Sequence, residues 1–285
     1  MEIEITIDNK KIKCDSSKTI LEVAKSANIN IPTLCYLKDL NKPASCRVCV
    51  VEVEGMRNLV TACSTLVKEN MVVRTNTTKV INARKTALEL LLSNHNKNCL
   101  NCGKNLKCEF QKLVEQYHCD TEKFVGEVNK CEIDDTNHAI IRDVSKCILC
   151  GKCVSVCSKV EGVGALSKIN RGFKTKIGTS FDRCMQSSAC VGCGQCTLVC
   201  PTGALMQKSS LNDALKILDK KDVIKSVRSW NLTTYKTYVK ALKKCLTNQT
   251  CGVNISRLSA RATRTNRREQ NLKRNLKKKK FNTLT

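Results

Sequence analysis

The spacing of cysteine constrains this chain more than any other feature. Twenty-one of its 285 residues are cysteine. Many stand only two or three residues from the next, a pattern poorly suited to a disulfide scaffold and well suited to holding metal. The chain needs such staples, because only 4% of its residues are aromatic and its apolar runs are scattered. One large conventional core is therefore not expected.

Four ligand sets follow one another. Cys35, Cys46, Cys49 and Cys63 form C-x10-C-x2-C-x13-C. The residues before them alternate apolar and polar over Glu2 to Ile7 and Lys11 to Cys14, with a turn at Asn9-Lys10. Helical spacing then runs from Thr19 through Ala27, where Thr19 and Glu22 suit a capping box. Val48 to Val53 reads as a strand leaving the cluster loop. This opening resembles a β-grasp ferredoxin, whose 2Fe-2S cluster needs four thiolates because each of its two tetrahedral irons takes two terminal ligands. The spacing departs from the plant-type C-x4-C-x2-C, and a structural zinc site is the competing occupant.

A helical stretch, Val80 to Leu92, precedes the second set, and its leucines are expected to pack a core. His95, Cys99, Cys102 and Cys108 follow as H-x3-C-x2-C-x5-C. A neutral imidazole can replace one thiolate on an iron, changing the charge of the cluster and shifting its potential. The third and fourth sets are C-x2-C-x2-C-x3-C runs: Cys147, Cys150, Cys153 and Cys157, then Cys190, Cys193, Cys196 and Cys200, the last followed by Pro201. They resemble the bacterial two-cluster ferredoxin, in which the fourth cysteine of each run ligates the other cluster. That resemblance groups Cys147, Cys150 and Cys153 with Cys200 on one 4Fe-4S cluster, and Cys190, Cys193 and Cys196 with Cys157 on another. Ser158 departs from the pattern, standing where the second run has proline. Cys14, Cys119, Cys131, Cys184, Cys245 and Cys251 lack a partner at ligand spacing and read as ordinary thiols.

The order of the sets resembles the N-terminal half of the iron-only (FeFe) hydrogenases and the large iron-sulfur subunit of complex I-like NADH dehydrogenases. The segments Ile31-Pro32-Thr33-Leu34-Cys35-Tyr36, Val163-Gly164-Ala165-Leu166, Asn170-Arg171-Gly172-Phe173-Lys174-Thr175 and Cys200-Pro201-Thr202-Gly203-Ala204-Leu205 look like the hydrogenase version. The resemblance covers about residues 1 to 208. It implies an α+β architecture: a 2Fe-2S domain over 1–79, a small helical domain with histidine and cysteine ligands over 80–120, and a double 4Fe-4S domain over 121–208. It also implies a relay of single electrons through one 2Fe-2S and three 4Fe-4S clusters toward a catalytic domain. The catalytic cysteine motifs of that family have no counterpart beyond Lys208, so hydrogen chemistry is not assigned to these residues. A frameshifted or truncated hydrogenase gene is the expected cause, ahead of a natural relay subunit or an assembly error. A relay subunit of a complex I-like or formate dehydrogenase-like assembly is the alternative reading.

The formal net charge is +25, and residues 211–285 hold 20 Lys and Arg against 4 acids, a balance of +16. Leu211 to Cys245 keeps helical spacing. From about Arg257 too few apolar residues remain to offset the entropy of ordering the chain, so disorder is expected. A zinc-stabilised nucleic-acid binder is the reading from another class, but the tail lacks the interleaved aromatics on which bases stack, apart from Phe281. Acidic ferredoxin or another redox protein is the expected partner, steered by the basic residues, together with a separate catalytic subunit. No apolar run approaches the roughly 18 residues of a membrane span, and the N-terminus lacks the pattern of a signal peptide. A cytoplasmic, anaerobic setting is expected. Gly162 and Gly164 do not extend into a dinucleotide fingerprint, so direct NAD or flavin binding is not expected.

Overall fold

The computed structural model describes residues 2–129, 132–209 and 211. Residues 1–208 form one compact unit. The expectations for the helix from Leu211 and the basic tail, and those for Cys131, Cys245 and Cys251, lie outside the described residues.

The first strands are β1 (Glu2–Ile7) and β2 (Lys10–Asp15), an antiparallel hairpin that pairs Ile5 with Ile12 and Ile3 with Cys14. The turn sits at Asp8-Asn9, one residue earlier than the sequence pattern indicates, with φ of 45° and 68°. Two successive positive φ values match the right-handed twist of the strands, and Asn and Asp tolerate them. Helix α1 (Ile20–Ser26) starts on the expected capping box: the Thr19 hydroxyl accepts from the Glu22 amide, and the Glu22 carboxylate accepts from the Thr19 amide. Its buried face is Ile20, Leu21, Val23 and Ala24.

Three more strands complete a five-stranded sheet: β3 (Val50–Val53), β4 (Val60–Thr61) and β5 (Val72–Arg74), in the order β2-β1-β5-β3-β4. β5 runs parallel to β1 and antiparallel to β3. Inserting a late strand between β1 and β3 buries Ile5, Ile7, Val51, Val53 and Val73 against α1. Tyr36 joins the same cluster, carrying the Cys35 loop onto it.

Glu22 has a second task. Partial burial acts to raise its carboxyl, but bonds from the Thr19 amide, Lys42 and Tyr36 outweigh it and bring the pKa to about 2 from an ordinary 4.5. Because the folded state favours the ionised form, this contribution to stability is present above pH 4.5 and is lost as the pH falls toward 2. Glu22→Gln should therefore lower the unfolding temperature at pH 7 and flatten its dependence on pH between about 4.5 and 2. An unchanged acid limb in a thermal scan would contradict this role.

Helix α2 (Thr78–Ser93) buries Val80, Arg84, Leu88 and Leu92, one residue per turn on a single stripe. The Arg84 guanidinium, 1% exposed, donates to the Val50 carbonyl and the Tyr117 hydroxyl. It thereby joins β3 of the sheet to α3 (Glu109–Gln116). Glu89, also buried, accepts from the Asp120 amide and from Lys123.

The remaining residues build a small two-part unit: β6 (Ile140–Arg142), α4 (Lys152–Ser155) extended by a wider turn over Val156–Val160, β7 (Ser167–Ile169), β8 (Lys176–Gly178), α5 (Gln195–Val199) and β9 (Leu205–Gln207). β6 pairs with β9 and β7 with β8, both antiparallel. The core of this unit is thin: Ile140, Leu166, Ile177, Met185 and Leu205 share it with Cys153 and Cys196.

Candidate iron-sulfur sites

The two C-x2-C-x2-C runs fold alike. Gly151 and Gly194 occupy the cap positions of α4 and α5 at φ of 76° and 77°, in the left-handed region. Leu149 and Gly192, two residues earlier in each run, are also at positive φ. Alternation of this kind turns successive amides inward into an anion-binding concavity. The Leu149 amide donates to Cys147 Sγ and the Gly192 amide to Cys190 Sγ, each at 3.4 Å.

Two cavities follow from this geometry. Cys147, Cys150, Cys153 and Cys200 line the first, with Arg142, Ile177 and Leu205 among its other walls. Cys157, Cys190, Cys193 and Cys196 line the second, beside Ile140, Leu166 and Met185. The fourth cysteine of each run thus lies with the first three of the other. Burial pushes the Cys147 thiol up to about 12 and Cys150 to about 11, and it does the same to Cys196, to about 12. Among the described residues, no three His, Cys, Asp or Glu side chains converge closely enough to hold a single metal ion at one point.

The first set is buried in the sheet domain. Cys35, Cys46, Cys49 and Cys63 are all at most 5% exposed. They stand as two pairs. A bond from Cys46 holds the Cys35 thiol down to about 5, while the reciprocal contact pushes Cys46 up. Cys49 and Cys63 are 3.3 Å apart, which lowers Cys49 to about 7 and raises Cys63.

In the second set, burial raises the Cys108 thiol, and the neighbouring Cys102 and Cys99 add to the effect. The Gln111 amide donates to Cys108 Sγ at 3.4 Å. His95 packs edge-on against Phe110, ring centroids 5.1 Å apart, two residues beyond Cys108. Burial, helped by Lys146, brings its imidazole down to about 4, so the ring is neutral at pH 7. Its Nδ1 is buried without a hydrogen-bond partner. An orphaned, neutral, buried imidazole nitrogen is rare in a folded protein, and its chemistry fits a metal ligand.

The sites adjoin. Cys35, Cys46, Cys108 and Cys150 belong to one apolar cluster with Leu34, Val48, Leu88 and Phe110. Cys108 and Glu109 meet the Pro201 carbonyl, and a Cβ on Gly203 would stand 2.5 Å from Cys102 Sγ. The cavity that holds Cys150 and Cys200 is therefore next to both the first and second sets. Sequence reasoning passed over the groups that make these junctions. Lys146, paired with Asp143 at 2.7 Å, and Thr202, whose hydroxyl donates to the Lys146 carbonyl, carry no motif of their own. Arg84 did leave a signal, as a charge on the apolar stripe of α2.

A sheet domain with four buried thiols, a helical unit with histidine and cysteine, and a paired cysteine fold have the form of iron-sulfur cluster-binding domains. Residues 1–78 match the family described as 2Fe-2S iron-sulfur cluster binding domain. Residues 84–123 match the NADH-ubiquinone oxidoreductase-G iron-sulfur binding region, and residues 146–204 the 4Fe-4S dicluster domain.

The chain is 44% identical over 232 residues to the NADP-reducing hydrogenase subunit HndD of Solidesulfovibrio fructosivorans, covering 80% of this chain and 40% of that protein. It is 37% identical over 210 residues to iron hydrogenase 1 of Clostridium pasteurianum, covering 73% and 36%. With the NADH-ubiquinone oxidoreductase 75 kDa subunit of Reclinomonas americana it shares 32% over 206 residues, covering 72% and 29%. The crystal structure of an NAD+-reducing [NiFe]-hydrogenase in the H2-reduced state superposes with a TM-score of 0.68 at 28% identity, over 73% of this chain and 88% of that one. This chain thus carries domains matched to 2Fe-2S and 4Fe-4S families, and its relatives include hydrogenase and NADH-ubiquinone oxidoreductase subunits. It spans 40% of the first of these relatives and less of the other two curated ones. No helix among the described residues is long and apolar enough to cross a membrane.

Proposed function

We propose that the chain passes single electrons through one 2Fe-2S and three 4Fe-4S clusters, as the relay part of a hydrogenase-like oxidoreductase. The observation that carries this reading is the crossed placement of eight thiols around two cavities. Four thiols around a cavity suit a cubane, whose irons stand apart. A zinc ion needs all of its sulfurs within about 2.3 Å of one centre.

Cys35 with Cys46 and Cys49 with Cys63 would supply two thiolates to each iron of the 2Fe-2S centre. His95, Cys99, Cys102 and Cys108 would hold one 4Fe-4S cluster. Cys147, Cys150, Cys153 and Cys200 would hold the next, and Cys157, Cys190, Cys193 and Cys196 the last. The clusters supply one-electron chemistry. The protein supplies the thiolates, the amide donors to sulfur and the apolar burial that set potentials.

The cubane of Cys147, Cys150, Cys153 and Cys200 is the junction, with the first two sets as entries. The last set is the exit: Cys193 is exposed, as is Val191 beside it. A redox protein such as ferredoxin would meet the entry side, and a separate catalytic subunit the exit. The match of residues 84–123 to an NADH-ubiquinone oxidoreductase region favours a complex I-like assembly as the second reading.

A dithionite titration of the reconstituted protein under anaerobic conditions tests the relay. Uptake of about four electrons per chain, one for each centre, with both 2Fe-2S and 4Fe-4S EPR signals, is expected. Uptake of none would defeat the proposal.

A further inference from the structure

Asn41 lies in the loop between Cys35 and Cys46 and is only 9% exposed. Its Nδ2 donates to the Cys35 carbonyl at 2.7 Å and to the Cys150 carbonyl at 3.0 Å. The amide is held in this orientation by the Ser155 hydroxyl, which donates to Asn41 Oδ1 at 2.8 Å from the end of α4. Both N–H groups and the oxygen of one buried carboxamide are thus used, and all three partners belong to cluster-bearing loops or the helix between them. The backbone holds the residue equally firmly: Asn41 and Leu37 exchange amide-to-carbonyl bonds at 2.9 Å. Lys159 adds a bond from beyond α4 to the Leu40 carbonyl. Gly151, whose φ of 76° disfavours any side chain there, packs directly against the amide: the position of a Cβ on it lies 3.6 Å from Asn41 Oδ1, an ordinary contact distance.

We infer that Asn41 is the positioning residue that couples the 2Fe-2S centre to the adjoining cubane, by tying the Cys35 carbonyl to the Cys150 carbonyl through a single side chain. The inference rests on the proposal that Cys35 and Cys150 are cluster ligands. In the transfer it supports, one electron leaves the reduced 2Fe-2S centre and enters the oxidised cubane. No proton moves and Asn41 is neither oxidised nor reduced. Its amide fixes the separation of the two ligand loops and offers a hydrogen-bonded route between them. A buried donor shared by two carbonyls is also costly to lose, since both acceptors are left unpaired away from water.

The test is the rate of electron transfer from the 2Fe-2S centre to the cubanes after flash photoreduction, measured in the full chain with all clusters reconstituted. Asn41→Leu keeps the size of the side chain and removes all three bonds. It should slow the transfer severalfold and weaken the spin-spin broadening between the two reduced centres, with iron content and the separate EPR signals kept. Ser155→Ala removes only the bond that orients the amide and should slow the transfer less, in the same direction; it also serves if Asn41→Leu loses clusters. Wild-type rates in Ser155→Ala and in any cluster-loaded Asn41→Leu would overturn the inference while leaving the relay intact. Wild-type protein without a 2Fe-2S signal would overturn the ligand assignment itself, and this inference with it.

Discussion

Removing Cys157 and Cys190 together should cost about four irons per chain, whereas removing Cys157 and Cys153 together should cost about eight. The reason is the crossed arrangement of thiols. Cys157 follows Cys153 by four residues in sequence, yet it lines the cavity of Cys190, Cys193 and Cys196, while Cys153 lines that of Cys147, Cys150 and Cys200. If each run instead closed its own cluster, the two results would exchange. Cys200→Ala alone should also loosen the fold around it. The segment after Cys200 is tied back by the Thr202 hydroxyl to the Lys146 carbonyl and by the Asp143 amide to the Ala204 carbonyl. Those ties join the segment between Cys200 and β9 to the residues just before Cys147. Iron and acid-labile sulfide in the alanine variants, reconstituted side by side, read both effects.

The second large effect is expected at Leu88. This side chain is fully buried on α2 and packs in the cluster that contains Cys35, Cys46, Cys108 and Cys150. Leu88→Ala should destabilise the protein by about 2–5 kcal/mol, combining lost burial with the cavity left behind. The cavity would open where three of the four sites adjoin, so loss of clusters should accompany unfolding instead of following it. Visible absorbance and far-ultraviolet circular dichroism, followed together through a denaturant titration, should shift to lower denaturant in step. A variant that unfolds at the wild-type midpoint would show that this core does not hold the sites together.

What could be read in the sequence was local. The hairpin was legible because Glu2 to Ile7 alternates, and α1 because Thr19 and Glu22 make a capping box whose two bonds both form. The strand expected from Val48 begins at Val50, since Val48 and Cys49 belong to the ligand loop. The cysteine groups were legible because a cluster dictates the spacing of the loop that wraps it. Long-range pairing was not. Nothing near Val72 says that β5 will insert between β1 and β3, and the contacts that decide it are made by residues far apart in the chain, such as Asp8 and Thr75, separated by 67 positions. The bond from Asn41 to Cys150, across 109 positions, is likewise invisible to periodicity or spacing. The sequence pattern proposes the residues of each site; packing decides which of the four sets become neighbours, and for the proposed relay that adjacency would determine where an electron can go.

The most direct test of the central claim is the content of iron, acid-labile sulfide and zinc per chain after anaerobic purification and reconstitution. One 2Fe-2S and three 4Fe-4S centres predict about 14 irons and about 14 sulfides, with no stoichiometric zinc. Near-zero iron and sulfide with stoichiometric zinc would contradict the account.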